Sequence, residues 1–427
     1  MSTTAQAPER AKKGRVVDLK IFLREELPER LFELRTIVVA QFKKLFRVVP
    51  RTGFIIGPTN SANQATAWAR SLPEGESLRI AADPATEWFH ADHEVKSSDR
   101  NAEVHRISIL HEIFSDKGSI LLESLRPIFA FRKGRQGFAS RHSVDDLILL
   151  RRMGKRVGVV FHGSDIRDPA AHLARNPYSP FQEPGHPGLL RKEAIELLEV
   201  SGVNRSLLPR IRKKKIPLFV TTPDLFHEVP DAIWLPAVID IAPYEAIADS
   251  SPLFASKKLR VLYLPSKSWL KSSGIITPIL EKLRDEGVIE YQNWVDSGPV
   301  LHDQILKIFS EVDLVIDQFI GLTGVFALEA AAAGRIVATY IDPLHAHHPT
   351  LPHININPET LESKLRSIAR EREKSLMYAQ VPENDHGQPQ RTLQSLPIAE
   401  GVRAAQEFVR FYHDGRFSSS VIKENLK

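Results

Sequence analysis

Short apolar runs of strand length alternate along the chain with segments whose apolar residues recur every three or four positions, and glycines or polar clusters separate them. The pattern predicts strands over 53–57, 78–83, 104–109, 128–131, 157–161 and 218–222, with helices over 64–72, 144–153 and 189–200 between some of them. A second series follows: strand 260–264, helix 275–286, strand 288–292 and helix 300–310. It leads into 312–341, where a β-branched strand, a loop punctuated by Gly321 and Gly324, an alanine-rich helix over 325–333 and another strand follow without interruption. Gly334 can end that helix in a left-handed turn. Beyond it the pattern predicts an irregular loop at 343–358, a charged surface helix at 359–374, a polar loop at 380–394 and an amphipathic helix at 399–412.

Strands alternating with helices predict an α/β fold built on parallel sheets. The polar stretch 242–258, with Pro243 and Pro252, is expected as a linker, so the chain divides into a first domain over 52–245 and a second over 258–396, facing a cleft. Ligands of such sheets bind beyond the strands' carboxyl ends. The remaining 1–51 form an N-terminal extension, and 397–427 a terminal helix and tail.

The 427 residues, 42% of them hydrophobic, suffice for two cores. Cysteine is absent, which removes disulfides, thiolate metal sites and a cysteine nucleophile. The sequence carries neither a signal-peptide pattern nor an apolar run long enough for a transmembrane helix, so a cytoplasmic protein is expected. The net charge of +5 resides in residues 1–50, which hold 11 Lys or Arg against 6 Asp or Glu. There Leu31, Leu34, Val38, Phe42 and Leu45 recur at helical spacing, with Arg35, Lys43, Lys44 and Arg47 between them. Such a basic amphipathic helix, within 16–49, suits an anionic membrane surface, and equally suits packing on its own domain or on a second subunit. No basic stripe with interleaved aromatics marks a nucleic-acid partner, and the oligomeric state is left open.

Four places concentrate chemistry. Glu329 is the one charge on the alanine-rich helix; a helix opening from a glycine loop offers N–H groups and a positive dipole to an anion, so phosphates at the helix start and ribose hydroxyls on Glu329 form one expectation. After the first strand, Gly57, Asn60, Ser61 and Asn63 lie where a substrate binds, on a loop that lacks the dinucleotide glycines; a helix cap explains them as well. The strand over 157–161 delivers His162, Gly163, Ser164, Asp165 and Arg167 onto one loop. His162 suits a sugar hydroxyl or a proton shuttle and Asp165 suits orienting it, against a reading in which the acid and Arg167 only close a turn. Lys267 and Lys271, among four serines between 265 and 274, suit a diphosphate or a solvated loop. His345, His347, His348 and His353 match no familiar zinc spacing, and no metal is expected.

In order and spacing, GPTNSANQATAWARSL, FHGSDIRDP, LPSKSWLKSSG and DLVIDQFIGLTGVFALEAAAAGR make the chain resemble the nucleotide-sugar-dependent glycosyltransferases of the GT-B fold, of the bacterial family 4 or family 1 type, over roughly 52–413. The resemblance implies two Rossmann-like domains, the donor held by the second, the acceptor by the first, and a last helix crossing back to the first domain. It implies Glu329 on the ribose, Lys271 on the diphosphate, N–H groups of Leu322, Thr323, Gly324 and Val325 on the phosphates, and His162 near the transferred sugar or the acceptor. It also implies a metal-independent hexosyl transfer without cofactor, from a nucleotide-diphosphate sugar to a hydroxyl acceptor. Together with the basic extension, it suggests a lipid-linked or glycan acceptor, in cell-envelope or extracellular polysaccharide assembly at the inner membrane face. One departure stands out: where many retaining members carry a sugar-binding glutamate, this chain has Gly321, the nearest carboxylate is Asp317, and Asp317 and Gln318 are then expected to contact the sugar instead. Two other readings follow from it, a non-catalytic partner subunit that binds sugar or nucleotide, and a nucleotide-sugar epimerase.

Overall fold

The computed structural model describes residues 53–81, 90–96, 117–126, 128, 143–152, 154–294, 300, 302–345, 348–379 and 397–426. The extension 1–51, the strand expected over 104–109, most of that expected over 128–131, and the loop 380–394 lie outside the described residues. The chain divides into two compact units, one of Met1–Val160, Leu207–Pro217 and Leu426–Lys427, the other of Phe161–Ser206 and Leu218–Asn425.

In the first unit, β1 (Gly53–Gly57), β2 (Gly75–Ala81), β3 (His93–Lys96), β4 (Lys117–Glu123) and β5 (Arg156–Phe161) are parallel, in the order β3-β2-β1-β4-β5. The helices α1 (Gln64–Arg70) and α2 (Ser143–Arg152) connect them. Phe54, Ile55 and Ile56 are all buried, as is expected of a central parallel strand covered on both faces. Helix α1 adds Ala65, Trp68 and Ala69 to the same core.

The second unit opens with α3 (Pro169–Arg175), the hairpin β6 (Gln182–Glu183) and β7 (His186–Leu190), and the greater part of α4 (Lys192–Lys213), whose residues from Leu207 onward belong to the first unit. The strands β8 (Leu218–Val220) and β9 (Ile233–Trp234) pair in parallel, and α5 (Ala242–Ser250) follows. Residues 242–250, expected as part of a polar linker, are therefore helical. Tyr244 and Ile247 fall one turn apart and are buried, while the polar residues that suggest a linker form the outer face.

Then come β10 (Leu259–Tyr263), α6 (Ser273–Asp285), β11 (Ile289–Tyr291), α7 (His302–Ser310), β12 (Leu314–Ile316), α8 (Val325–Ala332), β13 (Ile336–Thr339), β14 (Ile354–Asn355), α9 (Leu361–Ala379), α10 (Pro397–Tyr412) and α11 (Arg416–Asn425). The sheet is parallel, in the order β11-β10-β12-β13-β14. Alternate strand residues feed two cores. Val261, Tyr263, Leu314, Ile316, Ile336 and Ala338 pack with α6 and α9, whereas Leu262, Val315 and Val337 pack with α5, α8 and α10. Burial on both faces is why these strands read as continuous apolar runs. Strand order reverses between β10 and β12, so the loops leaving their carboxyl ends diverge and leave a crevice between them.

Candidate functional site

The two loops at that reversal carry most of the expected donor residues. After β10, the N–H groups of Leu270 and Lys271 both bond to the carbonyl of Lys267, winding 267–271 into a turn that ends at Ser272 (φ 65°). The turn presents Lys271 toward β12, while the Lys267 side chain is exposed. The Lys271 ammonium pairs with the carboxylate of Asp317, just past β12, whose side chain is 1% exposed. The other oxygen of Asp317 accepts the N–H of Gly324, 2.8 Å away, at the N-cap of α8. One buried acid thus ties a lysine to a helix start. An ammonium has three donors, so Lys271, with 16% of its side chain exposed, keeps capacity for a further acceptor while Asp317 fixes its direction.

Gly324 fits closely here: a β-carbon would stand 3.2 Å from Asp317 Oδ2 and 3.3 Å from Lys271 Nζ, so a larger residue makes one of them give way. The loop between is braced from inside. Gln318, 3% exposed, donates to the carbonyl of Leu322 at 3.2 Å, while its own carbonyl accepts from Tyr340 N and Thr339 Oγ1. Leu322, Thr323, Gly324 and Val325 are all half-buried along this turn. Gly321 adopts φ 98°, and a β-carbon on it would meet Asp342 Cβ at 3.2 Å. A glutamate at this position would be strained in backbone and in packing alike.

Further along α8, Glu329 is 8% exposed among alanines and Leu328. Burial raises its pKa to about 7, and a hydrogen bond from the Tyr244 hydroxyl of α5 offsets part of that rise. Tyr244, 3% exposed, is itself pushed upward, first by burial and then by the Glu329 charge. A carboxylate balanced near neutrality accepts hydrogen bonds readily from hydroxyl groups.

The loop after β5 is closed by its own acid. Asp165 accepts the N–H of His162 at 3.1 Å and that of Gly163 at 2.8 Å, and Ser164 is exposed. Arg167, 4% exposed, forms an ion pair with buried Asp224. His162 is half-buried, and its carbonyl accepts from Thr221 Oγ1. The helix that follows, α3, reaches the loop after β12 through two residues that carry no motif in the sequence. His172 Nε2 lies 2.8 Å from the carbonyl of Ile320 and Nδ1 2.8 Å from Ser179 Oγ. A carbonyl only accepts, so the ring is the Nε2–H tautomer and Ser179 donates to Nδ1. Burial, followed by the Arg167 charge, lowers the His172 pKa to about 3 and keeps the ring neutral. Asn176 Nδ2 bonds to the carbonyls of Phe319 and Ile320 as well. Nearby, Phe181 and Ala194 pack with Ile320, Leu322, Trp269 and Leu270, so one apolar cluster joins both loops of the crevice.

In the first unit, the loop Gly57–Asn63 is organised by a residue that the pattern does not single out. Glu123, fully buried at the end of β4, accepts the N–H groups of Thr59 at 2.8 Å, Asn60 at 2.7 Å and Ser61 at 3.3 Å. Asn60 turns its amide inward to Thr66, accepting its N–H and donating to its hydroxyl, both at 3.1 Å. Asn60 and Asn63 adopt left-handed φ values of 49° and 61°, which asparagine tolerates. Gly57 serves strand packing, since a β-carbon there would stand 2.3 Å from Leu78 O. Among the described residues, no three His, Cys, Asp or Glu side chains group as metal ligands, and no helix is long and apolar enough to cross a membrane. His347 lies outside the described residues, and His353 bonds to the carbonyl of Leu351.

Solved structures show a likeness of fold. Sucrose-phosphate synthase of Thermosynechococcus elongatus is similar with a TM-score of 0.48 and 10% identity, over 88% of this chain and 98% of that one. HepE of Anabaena, solved in complex with UDP-glucose, is similar with a TM-score of 0.45 and 10% identity, over 88% of this chain and 99% of that one. No family model and no curated protein sequence matches the chain.

Proposed function

We propose that the protein is a glycosyltransferase whose second unit holds a nucleotide-diphosphate sugar and passes the sugar to a hydroxyl acceptor. The observation that carries this reading is the joining of Lys271, Asp317 and Gly324 at the start of α8, with Glu329 farther along the same helix. The first N–H groups of a helix have no acceptor within it, and the dipole favours an anion there. A diphosphate laid across the start of α8 meets the helix N–H groups beyond that of Gly324, which Asp317 already holds, and the remaining donors of Lys271. Its ribose hydroxyls can then donate to Glu329. During transfer, negative charge gathers on the leaving diphosphate, and groups already fixed in place by Asp317 stabilise it without reorganising. A metal-independent transfer is in keeping with this set. A lipid-linked or glycan acceptor, with the basic extension 1–51 at a membrane surface, accords with its charge pattern.

Titration calorimetry with nucleoside diphosphates and sugar nucleotides tests the site. Binding to wild type that Glu329→Ala weakens sharply supports it, and equal affinity in both proteins overturns it. A second reading, a subunit that binds a sugar nucleotide without transferring the sugar, is favoured by Gly321, whose backbone conformation and packing would strain the glutamate expected there. Release of nucleoside diphosphate from a bound sugar nucleotide, assayed with and without membrane lipids, separates the two.

A further inference from the structure

Each carbonyl at the start of the turn from β12 to α8 has a donor, and the donors come from two places. The carbonyls of Gln318 and Gly321 accept from the backbone nitrogens of Tyr340 and Asp342, at 3.0 Å and 3.3 Å, and that of Leu322 accepts from the Gln318 side chain at 3.2 Å. These donors belong to the turn itself and to the chain leaving β13. The carbonyls of Phe319 and Ile320 are instead met by the end of α3. His172 Nε2 donates to Ile320 at 2.8 Å, and Asn176 Nδ2 reaches Ile320 at 3.3 Å and Phe319 at 3.4 Å. His172 is 2% exposed and Asn176 1%, so bulk water does not compete for these carbonyls. The imidazole is itself fixed, with Nδ1 2.8 Å from Ser179 Oγ and its ring edge-on to Phe181, centroids 5.0 Å apart. Asp168 caps the start of α3 through the N–H groups of Ala170 and Ala171, and its other oxygen pairs with Arg205 of α4 at 3.0 Å. Immediately after Ile320 the backbone turns at Gly321 (φ 98°) and, three residues on, reaches Gly324 at the N-cap of α8.

From these contacts we propose that His172 is a positioning residue of the diphosphate site: by holding the Ile320 carbonyl it fixes the course of 321–324, and with it the direction in which the first N–H groups of α8 meet the phosphates. The inference rests on the nucleotide reading above and adds to it a residue from a distant segment of the chain. Binding groups work best when a supporting shell of hydrogen bonds holds them within about 0.5 Å of their place. An N–H already aimed at the anion needs no reordering when the ligand arrives, whereas one on a turn free to rotate gives up part of the binding energy to ordering.

The test measures the affinities of ADP, GDP, CDP and UDP and of the corresponding nucleosides, using the full chain and titration calorimetry, and reads the ratio of diphosphate to nucleoside for whichever base binds. His172→Phe keeps a ring against Phe181 and removes the donor, and the ratio is expected to fall about tenfold, the size of one hydrogen bond. His172→Gln places an amide donor close to where Nε2 stands and is expected to bring the ratio back to within about twofold of wild type. Asn176→Ala removes the second donor from the same carbonyl and lowers the ratio about threefold; it carries the test should His172→Phe not fold. The ratio of two ligands measured on one protein is insensitive to a general loss of stability, so a merely structural histidine leaves it unmoved. An unchanged ratio in His172→Phe and Asn176→Ala, beside a wild type that prefers the diphosphate, overturns the inference while the nucleotide reading stands, and so does a fall in His172→Phe that His172→Gln does not reverse. If wild type binds no nucleoside diphosphate, or binds it no better than the nucleoside, the nucleotide reading fails and takes this inference with it.

Discussion

Two strand-to-helix turns in this molecule are built on the same device and put it to different uses. After β1, the buried carboxylate of Glu123 collects the N–H groups of Thr59, Asn60 and Ser61. After β12, the buried carboxylate of Asp317 takes the N–H of Gly324 and shares itself with the Lys271 ammonium. The first acid comes from a neighbouring strand and binds three loop donors, so it serves the turn it stabilises. The second joins a cation to a helix start, and a second acid, Glu329, follows on that helix. A polar loop at a strand's carboxyl end therefore says little by itself. What separates a structural turn from a binding turn is whether its charged groups retain donors or acceptors beyond those the fold consumes.

The largest effect expected from breaking this contrast lies in the first loop. Glu123→Ala removes the acceptor of three N–H groups, that of Asn60 buried and those of Thr59 and Ser61 partly buried, at about 1–3 kcal/mol for each that stays unsatisfied, so a stability loss on the order of 4 kcal/mol is expected. Denaturant unfolding measures it. Nucleoside diphosphate affinity of the remaining folded protein is expected to stay at the wild-type value; a parallel collapse in affinity would make the first loop part of the ligand site and dissolve the contrast.

Glu329 gives a somewhat smaller effect, with a definite sign. Its pKa rises from 4.5 to about 7 on folding, so the unfolded chain ionises first as pH increases. The stability this group contributes is complete below pH 4.5 and is lost as pH rises through 7. The loss is at most on the order of 3 kcal/mol relative to Glu329→Gln, which does not titrate. Unfolding of both proteins across that window should show the two curves diverging with increasing pH. Parallel curves would mean that Glu329 is far better solvated than its surroundings indicate.

Next in size is Lys271→Met. The charge-assisted contact to a phosphate is worth about 2 kcal/mol, which predicts a loss of roughly thirtyfold in nucleoside diphosphate affinity and none in affinity for the nucleoside alone. Equal losses for nucleoside and diphosphate would assign Lys271 to shaping the crevice.

Much of this was legible in the sequence because apolar periodicity reports burial directly. β1 coincides with the expected 53–57, and α8, β10 and α10 differ from expectation by a residue or two. The proposed donor residues could be picked out for a local reason: Lys271, Gly324 and Glu329 lie in short segments whose strand, loop and helix character can be read from neighbouring residues. The missing parts depend on contacts that are distant along the chain. Glu123 stands 64 positions from Thr59, and His172 stands 148 from Ile320. Neither pairing leaves a spacing to read. β4 escapes the pattern because Lys117 and Glu123 bound its apolar run, and a buried acid reads as polar until its three partners are known. Tyr244 was hidden differently: Pro243 and the serines at 250 and 251 suggest a linker, although Tyr244 and Ile247 already carry the helical spacing.

The smallest expected effect sharpens the contrast most, since it uses one methyl group at each turn. Gly57→Ala drives a β-carbon to within 2.3 Å of a backbone carbonyl, which cannot yield without separating β1 from β2. Gly324→Ala meets only side-chain atoms, at 3.2 Å and 3.3 Å, and its φ of −84° suits alanine. The Lys271 ammonium can withdraw by a few tenths of an ångström, so a stability loss of about 1 kcal/mol is expected, well below that of Gly57→Ala. Withdrawal, however, moves the ammonium away from the position in which Asp317 holds it. Gly324→Ala should therefore weaken nucleoside diphosphate binding several-fold while barely shifting the unfolding midpoint, and Gly57→Ala should do the reverse. If both alanines lower stability and leave binding alone, the turn after β12 is as purely structural as the turn after β1.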